Sequence, residues 1–382
     1  MLDGHPWIWR DGLRGPFEDH AAGDVVEVRS LDGAFVAKGL LDPGGALAFR
    51  AYSLDPQEAV GSALISDRLD RAFAVREALF PPHGEPATTA HRLVHGEGDR
   101  LPGLVIDRYA HVGVLRPDGE TPWTFFEPHL ALITAKLGAV GVTTVVLRDT
   151  RRGPSEGSRI TCLHGPPPPD RIEIREHGMA MEVDLARGQK TGAFLDQREN
   201  RRRVRTWSRG RRVLNLFSYA GGFSVAAALG GATKTTSVDI AHEAHKTAQR
   251  SFALNGLVPR EHDFVTADVF GFLEAAKKRG QAWDLVVCDP PSFASSEKQK
   301  PAGLAAYRKL HRAAAEVLAD GGWLCAASCS SHVSEAEFLE TLRARALGRA
   351  DLRLLETFGP PADHPSVPAF REGRYLKLAL LA

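Results

Sequence analysis

The chain is short of cysteine. It holds four in 382 residues, Cys162, Cys288, Cys325 and Cys329. No two form a C-x-x-C pair, which removes the usual thiolate frame of structural zinc and predicts a protein without a metal site. Four cysteines are also too few for a disulfide scaffold and read as reduced thiols of a cytoplasmic protein. Long hydrophobic runs are missing: no window approaches the roughly 18 apolar residues of a membrane helix. The start, "MLDGHPWIWRDGL", is charged early and lacks the apolar region of a secretory signal. A surplus of charge is missing too. The formal net charge is +1, so nothing global points to nucleic acid. The G-x-G-x-x-G fingerprint is also absent, which disfavours a pyrophosphate cofactor and with it a nicotinamide oxidoreductase.

What is present divides into three blocks. The length suggests two or three domains. Up to about Leu54, "DVVEVRS", "FVAKGLL" and "ALAFRAYS" are short β-like runs split by Asp32-Gly33 and Pro43-Gly44-Gly45, a pattern that suggests a small antiparallel barrel. The second block opens with a helical period over Ile65 to Leu79. Strands follow in "HRLVHGEGDRLPGLVIDRYAHVGVLRP", a helix in "FFEPHLALITAKLGA" and a strand in "VTTVVLRD". "HGPPPPDR" is a stiff surface segment, and "RIEIREHGMAMEVDL" alternates about Gly178 as a hairpin. From about Ala186 apolar strands alternate with helices: "RVLNLF", "TKTTSVDI", "DFVTAD", "DLVVCDPP" and "WLCAASCS" each precede a helical stretch. "GLAAYRKLHRAAAEVLADGG" and "SEAEFLETLRARAL" read as the last two helices, and "DLRLLETFG" and "YLKLALLA" as the closing strands. This alternation predicts an α/β fold with a parallel, doubly wound sheet whose ligand sits at the carboxyl ends of the strands.

The strand ends carry the chemistry. "FSYAGGFS" follows the first strand; Gly221 and Gly222 permit close backbone approach, although Gly-Gly is also an ordinary turn. Asp239 ends the second strand, where a carboxylate can accept from a ribose diol, and Asp268 ends the third, where it can reach an adenine amino group. Each also suits the cap of the next helix. Together they describe a nucleoside cradle without a phosphate loop, and S-adenosylmethionine is such a ligand. The fourth strand ends in Asp289-Pro290-Pro291-Ser292-Phe293. Two prolines fix that turn; Asp289 can bind a base edge and Phe293 can stack on a base. "QRENRRRVRTWSRGRR" holds eight arginines against one acid, either a solvated helix face or a phosphate-tracking patch.

Position sorts the cysteines. Cys325 lies mid-strand and Cys288 points to the core, Cys162 lies outside the block, and Cys329 stands at the active edge. A small buried hydrophobe is the bland alternative for it. C5 of a pyrimidine is a poor nucleophile, and a thiolate adding to C6 activates it. Nitrogen methylation needs no such help, so a strand-end cysteine beside D-P-P favours carbon methylation.

The whole chain resembles the RlmI-type large-subunit ribosomal RNA 5-methylcytosine methyltransferases. The resemblance is carried by "GHPWIW", "RLVHGEGDRLPGLVIDRY", "GQKTGAFLDQREN", "VLNLFSYAGGFSVAAALGGA", "SVDI", "DVFGFL", "CDPPSFA", "AASCSSHVS", "ADHP" and "EGRYLKLALL". It implies an RNA-binding PUA barrel over 1–68, a small α/β linking domain over 69–185 and a class I (Rossmann-like) methyltransferase domain over 186–382. Only three residues precede "GHPW", where the family carries another strand, so either the barrel lacks that strand or the start is misplaced. Cys329 is similar to the family's nucleophile and Asp289 to its base-edge carboxylate. The resemblance places Gln197, Phe217, Ser218, Tyr219, Gly221, Asp239, Ile240, Asp268, Val269 and Asp289 around S-adenosylmethionine. Phe293 at the D-P-P turn and Arg198, Arg201, Arg202 and Arg203 of the basic run are the candidate RNA contacts. The implied partner is large-subunit ribosomal RNA, and the apolar face of the linking domain suits a homodimer. Ser292 stands where other RNA 5-methylcytosine enzymes carry a product-releasing cysteine, so the base that removes the C5 proton is unassigned. The competing readings are a guanine-nitrogen methyltransferase, whose relatives share the D-P-P turn but lack the strand-end cysteine, and a non-catalytic RNA-binding relative.

Overall fold

Alternating apolar residues between tight turns build the first sheet. In the computed structural model, which describes residues 4–81, 85–149 and 159–382, strands β1 (Trp7–Trp9), β2 (Val25–Arg29), β3 (Phe35–Leu41) and β4 (Leu47–Ser53) pair antiparallel in the order β1-β4-β3-β2. Helix α1 (Ser62–Leu79) follows, starting one turn earlier than its apolar period predicts. A five-stranded sheet comes next, ordered β5 (Ala90–His95), β6 (Leu104–Tyr109), β7 (Val112–Pro117), β8 (Thr144–Asp149) and β9 (Arg159–His164). The single helix expected over "FFEPHLALITAKLGA" is two, α2 (Glu120–Phe126) and α3 (Leu130–Ala139). Pro128 lacks a backbone N–H and falls in the 3-10 turn Glu127–His129 that parts them. Strand β9, which carries Cys162, was not anticipated from its polar, unpatterned sequence.

The described chain falls into two compact units: Met1–Arg175 with Val183–Leu195 and Ala362–Gly373, and Glu176–Glu182 with Asp196–Pro361 and Arg374–Ala382. Inside the first unit the late "ADHP" segment is held by charge. Asp363 Oδ2 accepts the backbone N–H of Arg92 at 2.9 Å, and its carbonyl accepts from Arg76 at 2.8 Å. The Arg92 guanidinium meets both oxygens of buried Asp107, at 2.8 and 2.9 Å. Burial pushes the Asp107 carboxyl up, but the charge and hydrogen bonds of Arg92 outweigh it and hold the group below the usual range.

The hairpin β10 (Arg171–Glu176) and β11 (Met179–Asp184) turns at His177 and Gly178, with φ of 46° and 79°. Two left-handed residues make the turn that matches strand twist, and glycine adopts that region freely. Helix α4 (Arg198–Trp207) then leads into the large sheet. Its elements are β12 (Arg212–Leu216), α5 (Gly222–Leu229), β13 (Lys234–Asp239), α6 (His242–Leu254), β14 (Asp263–Thr266), α7 (Val269–Lys278), β15 (Trp283–Cys288), α8 (Lys300–Glu316), β16 (Leu318–Ser328), α9 (Glu335–Glu340), α10 (Ala344–Leu347), β17 (Leu354–Phe358) and β18 (Lys377–Leu381). The strand order is β14-β13-β12-β15-β16-β18-β17. The first five run parallel, while β18 inserts antiparallel between β16 and β17. The parallel rule therefore fails at that edge, where β17 and β18 are joined by a long loop instead of a crossover helix. The central runs are apolar throughout because the sheet is covered on both faces. Leu216, Val286 and Leu324 pack with Tyr307 and Phe338 on one face, and Val213, Leu285 and Leu380 with Val204 and Phe223 on the other. Two helices end earlier than their patterns predict. β16 already begins at Leu318, after which Gly321 takes φ +68°. "SEAEFLETLRARAL" forms two short helices, the first closed by a capping box between Ser334 and Glu337.

Candidate active site

The order of the large sheet reverses between β12 and β15, so the turns at their carboxyl ends flank a crevice of the kind that binds ligands. The turn after β12 is unusually constrained. Phe217, Tyr219 and Gly221 have φ of 56°, 46° and 73°. Left-handed backbone at two aromatic residues is costly and recurs at functional turns. A Cβ on Gly221 would lie 2.6 Å from that of Ala248, so the close approach to α6 also requires glycine. Asp239 braces this turn. Its carboxylate accepts the backbone N–H of Tyr219 at 2.8 Å and that of Ala241 at 2.8 Å. Ile240 beside it is 76% exposed. Ser218 is buried, and its hydroxyl has no hydrogen-bond partner among the described residues.

Asp268 is the N-cap of α7 and accepts from Gly271 N at 2.9 Å, as its position also allowed. The side chain of Val269 is buried in the core, which leaves its backbone as the means of any contact. Asp289 follows β15 and is half-buried; Gln197 donates to its Oδ2 at 2.9 Å. Asn200 in turn donates to Gln197 Oε1 at 2.6 Å, fixing which end of that amide faces Asp289. Asn200 was not anticipated, because its role depends on a helix turn placing it over Gln197.

The cysteines separate by burial. Cys288 and Cys325 are fully buried, and burial pushes both thiols up. Cys329, just past β16, is partly exposed. Around it lies a set of hydroxyls invisible to sequence patterning. Ser328 donates to the Tyr307 hydroxyl at 2.9 Å, and Ser330 lies 3.0 Å from Tyr307 and 2.8 Å from Ser292. The Ser292–Ser330 contact ties the D-P-P turn to the cysteine turn. Phe293 packs against Phe217 and Tyr307, with ring centroids 6.4 and 4.9 Å away.

The basic helix divides in two. Arg198 and Arg201 are buried side chains: Arg198 reaches Glu199 at 3.2 Å, and Arg201 grips Glu176 with two bonds of 2.7 Å. That takes both off the surface a phosphate would reach, because a buried guanidinium needs its carboxylate. Arg203 covers the Phe358 ring at 4.0 Å, and Arg202 stays exposed. A shallow pocket lined by Arg198, Arg201, Arg202 and Arg205 with Glu176 and His177 opens beside this helix.

Residues 131–377 match the family model of the S-adenosylmethionine-dependent methyltransferases. The chain belongs to that family. Residues 1–54 match the PUA-like domain, so the methyltransferase carries a PUA-like element at its N-terminal end. A ribosomal RNA large subunit methyltransferase of Deinococcus radiodurans is 40% identical over 100% of this chain and 94% of its own length. Ribosomal RNA large subunit methyltransferase I of Escherichia coli O1:K1 is 32% identical over 99% of this chain and 95% of its own. A methyltransferase solved with S-adenosylhomocysteine superposes with a TM-score of 0.85 at 25% identity, covering 100% of this chain and 96% of the other. A solved S-adenosylmethionine-dependent methyltransferase from Streptococcus mutans gives 0.83 at 25%, over 98% and 95%. The large sheet is thus the Rossmann-like methyltransferase fold, and the cofactor is S-adenosylmethionine. The residues present suit it: among the described residues the buried Ser218 hydroxyl has no hydrogen-bond partner, and Gly221 leaves no side chain in the turn after β12. No helix among the described residues is long and apolar enough to cross a membrane.

Proposed function

We propose that this methyltransferase forms 5-methylcytosine in large-subunit ribosomal RNA, with Cys329 as nucleophile. The observation that carries the reading is the burial split: of the three cysteines on or just past β15 and β16, Cys288 and Cys325 are buried and Cys329 is partly exposed. The names of the full-length relatives support the RNA class. In this reading Gln197, Phe217, Ser218, Tyr219, Gly221, Asp239, Ile240, Asp268 and the backbone of Val269 hold the cofactor, Arg202 meets RNA phosphate, and Phe293 lines the base pocket. The chain would divide at 1–68 for docking RNA, 69–185 for linking and 186–382 for chemistry.

S-adenosylmethionine, when bound, supplies a methyl group on a sulfonium that a carbon nucleophile can take. The protein's part is to make the carbon nucleophilic. The Cys329 thiolate adds to C6, forming the Sγ–C6 bond and moving the C5–C6 π electrons to C5. Asp289, held by Gln197, accepts from the cytosine N4 amino group and orients the ring. After methylation, loss of the C5 proton re-forms the double bond and expels the thiolate. Labelled methyl groups offered with protein-free large-subunit RNA should appear in 5-methylcytidine after digestion to nucleosides. Label in a methylated guanosine would sink the carbon reading, and no label in any nucleoside would favour a non-catalytic RNA binder.

The double duty of Asp268 gives a separate test. Serine also caps helices, so Asp268→Ser should leave stability within about 0.5 kcal/mol. Loss of the carboxylate should weaken cofactor binding roughly tenfold or more, the range for a hydrogen bond to a charged group. Unchanged affinity by calorimetry would make Asp268 a cap and nothing else.

A further inference from the structure

Lys377 is a buried cation in need of an anion. It opens β18 and is 6% exposed. Its ammonium donates to the carbonyls of Ser330 and Val333, each at 2.6 Å, and makes no ion pair with a carboxylate among the described residues. A buried charge without a counter-charge is strongly disfavoured, and two neutral carbonyls compensate only in part. The antiparallel ladder sets Ser328 opposite Lys377, and the side chain bonds Ser330. Cys329 is the residue between them. The lysine therefore brackets the cysteine from its strand partner to the carbonyl that follows it.

We propose that Lys377 is a positioning residue that holds Cys329 as a thiolate, its ammonium being the fixed counter-charge to the sulfur anion. The inference rests on Cys329 being the nucleophile. A cation beside a thiol favours its charged form, and the carbonyl bonds keep that cation in place while the turn opens to substrate. Burial lowers the Lys377 ammonium, the facing Cys329, Glu335 and Glu337 oppose that, and the net result is about 8. Tyr307 on α8 also faces this turn, which itself carries His332. Burial pushes the Tyr307 phenol up, so it stays neutral and hydrogen-bonded to Ser328 and Ser330. Glu337 is already engaged, by Lys300 at 2.8 Å and by Ser334, which hold it down at about 2.

The test is the pH dependence of Cys329 alkylation by iodoacetamide. It uses the full chain with Cys162→Ser, so that the exposed thiol on β9 does not compete, and is read by peptide mass. The midpoint for Cys329 should lie at least about one unit below the ordinary thiol value of about 8.5. Lys377→Gln keeps an amide donor for the carbonyls but removes the charge. It should raise the midpoint by about one unit or more, so that alkylation near neutral pH slows roughly tenfold. Turnover should fall with it and recover in part at higher pH, with cofactor affinity unchanged. A purely structural lysine would lower the melting temperature without moving the midpoint, which overturns the proposal. So does a Cys329 midpoint at or above the ordinary value in the protein bearing Lys377, a result that decides the matter even if Lys377→Gln fails to fold. Alkylation needs no RNA, so a low midpoint together with no effect of Cys329 replacement on methyl transfer would reject the nucleophile reading alone.

Discussion

Cys329→Ala is expected to lower methyl transfer to RNA by about 10⁴-fold or more, the scale on which removing a covalent nucleophile acts. Cofactor affinity should not move, because the residues proposed to hold it lie just before α4 and on the turns after β12, β13 and β14, and Cys329 follows β16. The fold should hold, because Cys329 is partly exposed and lies past the end of β16. Cys325→Ala is the informative contrast. That thiol is fully buried among Val204, Val213 and Leu378, so its loss should cost stability and leave the chemistry. A second readout follows from the bond sequence. RNA bearing 5-fluorocytidine has no C5 proton to lose, so elimination stops and the Sγ–C6 bond persists. The unaltered protein should give a denaturation-resistant RNA adduct and Cys329→Ala none. An alanine variant that turns over normally would remove Cys329 from the mechanism.

The largest stability effect is expected at Arg201→Met. The guanidinium and the Glu176 carboxylate share two bonds of 2.7 Å, with side chains 6% and 1% exposed. Removing the arginine strands a buried carboxylate, at a cost of about 3–5 kcal/mol. The unfolding transition should fall by roughly 10 °C. Packing sharpens the effect: a Cβ on Gly222 would come 2.8 Å from Arg201 Cδ, so α5 begins with the residue that makes room for this side chain. Because a buried pair often contributes little beyond an apolar replacement, Arg201→Met with Glu176→Leu should recover most of the loss. If the single variant melts normally, the bidentate pair contributes nothing to stability. If the double variant melts no higher than the single one, the damage lies in packing and not in the stranded charge.

Much of the fold was legible because its signals are local. The apolar strands that alternate with helices needed only their periodicity, and the α6 and α7 boundaries only their turn chemistry. The strand-end residues Asp239, Asp268 and Asp289 were found the same way, since a residue's place at the end of an apolar run is written beside it. Where the reading failed, a local rule met a specific residue. Pro128 split one helix into α2 and α3, and the run after Val317 joined β16 because it pairs with Trp283 in the neighbouring strand.

By itself the sequence determined the alternating architecture, the strand-end carboxylates and the cysteine-bearing turn, all properties of short segments. Only the tertiary structure decided which arginines are surface and which are core. Arg198, Arg201 and Arg202 look alike in the chain; Arg198 and Arg201 are enclosed, the latter against Glu176, while Arg202 reaches Glu199 from the surface. Nor does any local pattern bring Lys377 to Cys329. That meeting depends on β18 entering the sheet antiparallel beside β16, a pairing between distant segments whose free energy comes from the buried ladder they share.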